Sequence, residues 1–84
     1  MFKSIVTIDG VTNVTEHAST EAAWLKAAGA FGEKWDEQIK NGQDIDAYRK
    51  WADEDDRILN TPASAEEWKL DFPDFKITLE VKRA

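Results

Sequence analysis

Residues 2–17 read FKSIVTIDGVTNVTEH, and this stretch decides the fold. Asp9-Gly10 is a strong hairpin signal, because a type I′ turn needs positive φ at both central residues. Around a two-residue turn, Ile8 falls opposite Val11, Thr7 opposite Thr12, Ile5 opposite Val14 and Lys3 opposite Glu16. Apolar, Thr–Thr and opposite-charge pairs all suit cross-strand neighbours. The first strand alternates imperfectly, with Phe2, Val6 and Ile8 on one face and Lys3, Ile5 and Thr7 on the other.

Downstream the period changes from strand to helix. Ser19 or Thr20 can cap a helix that has Glu21 in its first turn. Trp24, Leu25, Ala28, Phe31, Gly32, Trp35 and Ile39 then share one arc at about 100° per residue and form its expected inner face. Asn41-Gly42 supplies the stop, with Lys40 in the last turn. Gly29 and Gly32 inside this helix each cost about 1 kcal/mol against Ala. Close backbone approach to the sheet or the next helix is the expected reason, and an interface is the other. Asp44 caps a second helix with Ile45, Tyr48, Trp51, Ala52, Ile58 and Leu59 expected to point inward.

Thr61-Pro62 offers a cap followed by Pro at a first helical position. Ser64 with Glu67 offers a competing capping box, so a short third helix is expected to carry Trp68 and Leu70. Phe72-Pro73-Asp74-Phe75 reads as a turn. Phe75, Ile77, Leu79 and Val81 then alternate strictly with Lys76, Thr78, Glu80 and Lys82, which is the pattern of a half-buried strand. The predicted order is β-β-α-α-(short α)-β. It forms an α+β fold in which a three-stranded, mainly antiparallel sheet carries two helices on one face. The first strand is placed centrally, and Lys76, Lys82 and Arg83 are expected to guard one sheet edge.

The 84 residues predict a single domain over 1–84. There is no cysteine, hence no disulfide framework, thiol nucleophile or cysteine-ligated metal. That fits a reducing cytoplasm, the expected compartment. The first residues show no secretory pattern, and no apolar run is long enough to span a bilayer. A net charge of −6 disfavours direct nucleic-acid binding and anionic membranes, both of which call for clustered Lys and Arg. It permits a partner with a basic surface.

The negative charge is concentrated. Between Asp44 and Asp71, nine acids stand against Arg49, Lys50, Arg57 and Lys69, which leaves the segment −5 of the whole chain's −6. Asp53-Glu54-Asp55-Asp56 falls late in the second helix, where the dipole prefers cations. Helical spacing allows Asp46 to pair with Arg49, Asp53 with Arg49 and Arg57, and Glu54 with Lys50 and Arg57. Asp55 projects inside the apolar arc, between Tyr48 and Trp51. It is expected to face water because the helix frays after Glu54, or else to find a structural partner or a ligand. Carboxylates at helical spacing lie about 5–6 Å apart between Cβ atoms, comparable to successive phosphates. A row of them can enter a basic nucleic-acid groove.

Catalytic constellations are scarce. His17, the single histidine, is expected to be exposed before the first helix, and no nucleophile–base motif or phosphate loop accompanies it. Asp44-x-Asp46 and Asp53-x-Asp55 could hold a hard cation, but the Gly and terminal Glu of a calcium loop are out of place. The aromatic residues sit on amphipathic stripes without the positive groove of a base-stacking platform.

The expected function is that of a small acidic, non-catalytic interaction protein needing no cofactor. It would be an inhibitor presenting Asp46, Asp53, Glu54, Asp55, Asp56, Glu66 and Glu67 to a basic, nucleic-acid-binding surface of a partner protein. In size, acidity and lack of catalytic motifs the chain resembles small phage-encoded inhibitors of host defence or nucleic-acid enzymes. The alternative is a structural or assembly subunit. It would form a homodimer or larger oligomer through a sheet edge or the Ala23/Ala27/Ala30 side of the first helix. A carboxylate-dependent metalloenzyme ranks last.

Overall fold

The computed structural model describes Met1–Ala84, an α+β chain with two helices and a four-stranded antiparallel sheet. Its elements are β1 (Phe2–Ile8), β2 (Val11–His17), α1 (Thr20–Lys40), α2 (Ile45–Leu59), β3 (Trp68–Phe72), a 3-10 turn (Pro73–Phe75) and β4 (Ile77–Arg83). The sheet order is β2-β1-β4-β3. The hairpin has the predicted register, Ile8 opposite Val11 through Lys3 opposite Glu16. Asp9 and Gly10 hold φ of 52° and 83°, the left-handed values that the turn demands. β1 is flanked by β2 and β4, as predicted.

The fourth strand corrects the expected third helix. Trp68-Lys69-Leu70-Asp71-Phe72 alternates with period two, and it pairs with β4 from Trp68 opposite Val81 to Phe72 opposite Ile77. Thr61 does not cap a new helix, because its hydroxyl donates to the Arg57 carbonyl at 2.9 Å and closes the end of α2. Residues 61–67 make turns, including the Ala65 N–H to Pro62 carbonyl bond, and no helix. β4 is therefore an inner strand, so Lys82 and Arg83 guard no edge, and Lys76 occupies a left-handed turn position at φ 55°.

Caps define both helices. The Ser19 hydroxyl accepts from Ala22 N–H at 3.1 Å, and the Asp44 carboxylate accepts from Ala47 N–H at 2.8 Å. Asn41 caps the C-terminus of α1, and Gly42 follows at φ 87°. α1 presents Ala23, Ala27 and Phe31 to the sheet, all fully enclosed. This face is rotated by about one residue step (~100°) from the predicted arc, which leaves Leu25 and Ile39 exposed. The alanines let the helix axis lie close to β1 and β4, whereas the bulkier stripe would have held it off. Ala23 and Ala27 of the expected oligomerisation surface are thus core, whereas Ala30 is half-buried at its border.

One core results, built on Phe31. Its ring lies 5.0 Å from Phe72, 5.1 Å from Trp51 and 6.3 Å from Phe75, centroid to centroid. Trp51 stacks flat on Phe75 at 3.9 Å. Val6, Ile58, Ile77 and Leu79 complete the cluster. Trp35 is a satellite. It is half-buried against Tyr48 at 5.2 Å, with its indole N–H donating to the Gln43 side chain at 3.2 Å.

Gly29 and Gly32 do not mark a close approach, because nothing lies within 4 Å of where a Cβ would sit on either. Gly29→Ala and Gly32→Ala are each expected to stabilise the chain by about 0.5–1 kcal/mol, read as a higher urea midpoint. Phe31→Ala is expected to cost about 3–5 kcal/mol, because the ring joins three elements. A near-native unfolding midpoint for that variant would contradict this account of the core.

Candidate functional site: the outer surface of α2

α2 packs against α1 and β3 with Trp51 and Ile58 as its buried residues. At about 100° per residue, the opposite side carries Asp46, Asp53 and Asp56, all exposed. Asp46 and Asp53 do not pair with Arg49 although the spacing allows it, and neither Asp53 nor Asp56 has an ion-pair partner. The single pair formed within α2 is Glu54–Arg57 at 2.5 Å. Arg57 is held on the flank facing β3: its guanidinium lies 4.7 Å from the Phe72 ring centroid and donates to the Asp71 carbonyl at 3.1 Å. That anchorage turns Arg57 and Glu54 toward the sheet, while Arg49 and Lys50 stay exposed on α2 without pairing to the outer carboxylates.

Beside the acidic strip runs an apolar one that corrects the expected inner face. Ile45 is 63 % exposed, Tyr48 42 % and Leu59 62 %. With half-buried Ala52 they fall along one side of the helix, and Asp55 and Asp56 occupy the turn between Ala52 and Leu59. The periodicity that marked these residues as apolar was legible. It could not say that the available core is only wide enough for Trp51 and Ile58.

Asp55 does not sit past a frayed end, because α2 continues to Leu59. It is half-buried, and its carboxylate makes no hydrogen bond or ion pair within the chain. Burial, with a smaller contribution from neighbouring Asp56, raises its carboxyl above the ordinary carboxylate range.

Glu66 and Glu67 do not extend the strip. They precede Trp68, at the end of β3 remote from the Phe72–Arg57 contact. Glu66 is neutralised by Arg83 at 2.6 Å, while Glu67 is exposed. Of the seven acids predicted to bind a partner, the fold gathers Asp46, Asp53, Asp55 and Asp56 and sets the other three apart.

His17 is not exposed before α1 but lies in β2. There its Nε2 is 3.1 Å from the Ser4 hydroxyl and 3.0 Å from the Thr15 hydroxyl, with 2.8 Å between the two oxygens. The Ser4 residue has no solvent exposure, so this hydroxyl is a satisfied core group that no substrate can reach. No three His, Asp or Glu side chains converge as metal ligands, and Asp44 is already engaged as a helix cap. No helix is long and apolar enough to cross a membrane. Comparison with protein-family models, curated proteins and solved structures returned no match.

Asp55 yields a pH test. Its carboxyl is raised in the fold, so the folded chain binds the proton more tightly than the unfolded one. Its contribution to stability is full below the unfolded carboxylate pKa of about 3.9 and is lost as pH rises through the higher folded value. Asp55→Asn is therefore expected to be more stable than the wild type at neutral pH, and the difference should vanish below about pH 3, under the unfolded carboxylate pKa. Urea unfolding at both pH values reads this, and an equal gain at both would rule out the charge as the cause.

Proposed function

We propose that this protein is a small non-catalytic interaction protein, acting as an inhibitor, that offers the outer surface of α2 to a basic, nucleic-acid-binding surface of a partner protein. One observation carries the reading: uncompensated carboxylates run alongside exposed Ile45, Tyr48 and Leu59. A stable protein interface combines an apolar centre with polar groups around it. A solvated acidic face needs no such apolar strip. The carboxylates steer a cationic partner and set its orientation, and the apolar residues supply buried area once it docks.

Local cost supports the same reading. Asp56 lies in the last turn of α2, against the helix dipole, where a carboxylate is unfavourable by about 0.3–1 kcal/mol. Asp55 is desolvated without a partner. Both costs are relieved when a cation arrives between Ala52 and Leu59. The preferred partner feature is therefore an Arg or Lys bordered by apolar side chains, as found where a basic groove receives a nucleic-acid backbone.

Capture from the native host's lysate on the immobilised chain supplies the partner for measurement. The combined Asp46→Asn, Asp53→Asn and Asp56→Asn variant is expected to keep its stability, since Asp46 favours the dipole and Asp56 opposes it. It should bind the partner at least about tenfold more weakly (~1.4 kcal/mol), with a shallower salt dependence. Ile45→Ser with Leu59→Ser should also weaken binding but leave the salt dependence intact. Unchanged affinity in both variants would show that α2 is ordinary solvated surface.

A further inference from the structure

β2 is an unguarded edge. Ile8 and Val11 flank the two-residue turn and exchange hydrogen bonds, so alternation turns the backbone of Thr12, Val14 and Glu16 away from β1. The bond from Asp9 N–H to the Lys76 carbonyl, on the β4 side of β1, fixes the same parity. No turn or loop bond uses the β2 backbone, and no side chain reaches it. The strand is seven residues long, without Pro, Lys or a bulge.

The opposite edge, β3, is better protected than β2, whose one charged side chain besides His17 is Glu16. It is five residues long, Lys69 and Asp71 point off its open face, and Arg57 occupies the Asp71 carbonyl. Short strands, charged side chains and a covering group are the usual protections of a sheet edge.

We propose that a second copy of this chain pairs antiparallel along β2, with Val14 on the two-fold axis, to make one continuous sheet across a symmetric dimer. The strand is self-complementary in this register. All seven residues find partners, Val14 meets Val14, and Glu16 meets Thr12 of the second copy, so the two acids never face each other. On the open face Ile5 and Val14, already opposite one another, join their counterparts into one apolar row. Val14 is 55 % exposed in the single chain, and this row covers it.

Charge selects the same edge. The acidic α2 packs over β3, at the far side of the sheet from β2. Pairing through β2 keeps the two acidic helices at opposite ends, where repulsion is most screened. Pairing through β3 would bring them together.

Sedimentation of the intact chain from micromolar to near-millimolar concentration tests the proposal. The wild type is expected to move from the 9.5 kDa species toward twice that mass. Val14→Lys and Val14→Glu, each confirmed as folded by circular dichroism, should each weaken dimerisation at least about tenfold through like charges on the axis. An equimolar mixture of the two should restore a dimer. Hydrogen exchange should show the amides of Thr12, Val14 and Glu16 gaining protection with concentration, while Asn13 and Thr15 are protected throughout. A wild type monomeric at near-millimolar concentration overturns the proposal. So does a dimer indifferent to both Val14 variants, or protection gained on β3 instead.

Discussion

The enclosure of the Phe31 ring is the contact on which the rest of the structure depends. Its aromatic neighbours come from α2, from the end of β3 and from the 3-10 turn, while its own backbone belongs to α1. A chain of 84 residues buries only about 60–65 % of its unfolded surface, so it has little apolar area to distribute. One ring shared by several elements makes them stable together or not at all. The flat stacking of Trp51 on Phe75 then locks α2 against the turn that joins β3 to β4. The orientation of α2, and with it the direction of its carboxylates, follows from that packing.

A small core also has a consequence at the surface. Once Trp51 and Ile58 have filled the space beneath α2, its other apolar residues have nowhere to go. Ile45, Tyr48 and Leu59 therefore emerge beside the acids. The helix that contributes least to the core thus carries the most exposed apolar area and the most uncompensated charge. Arg57 sharpens the division, since its contacts with Glu54, Phe72 and Asp71 hold that cation on the sheet side.

The two ends of the sheet are accordingly different in kind. At the β3 end the edge is short, charged and overlaid by an acidic helix. At the β2 end the ladder stops without a covering element, and the charges of both signs on the neighbouring part of α1, Lys26, Glu33, Lys34 and Glu37, balance. The proposed basic partner at the acidic face and the proposed second copy at β2 would not compete for surface.

The sequence alone determined the features that rest on local chemistry. Asp9-Gly10 specified the hairpin and its register, because few other dipeptides accept positive φ twice in succession. Ser19, Asn41 and Asp44 marked helix ends, because a cap is a bond between near neighbours. The strict alternation of β4 and the concentration of charge in Asp44–Asp71 were equally plain. Only the tertiary structure decided which apolar residues are enclosed and which emerge. The cap-like Thr61-Pro62 and Ser64 point to a helix over Trp68 and Leu70, yet Trp68–Phe72 also alternates as a strand does. Pairing with β4 chose the strand by satisfying its backbone bonds, a non-local partner that no window on the sequence contains. The rotation of α1 onto its alanines, the half-buried Asp55 and the exposed Tyr48 depend in the same way on how close two elements can approach. That distance is set by packing across the core, between residues far apart in the chain.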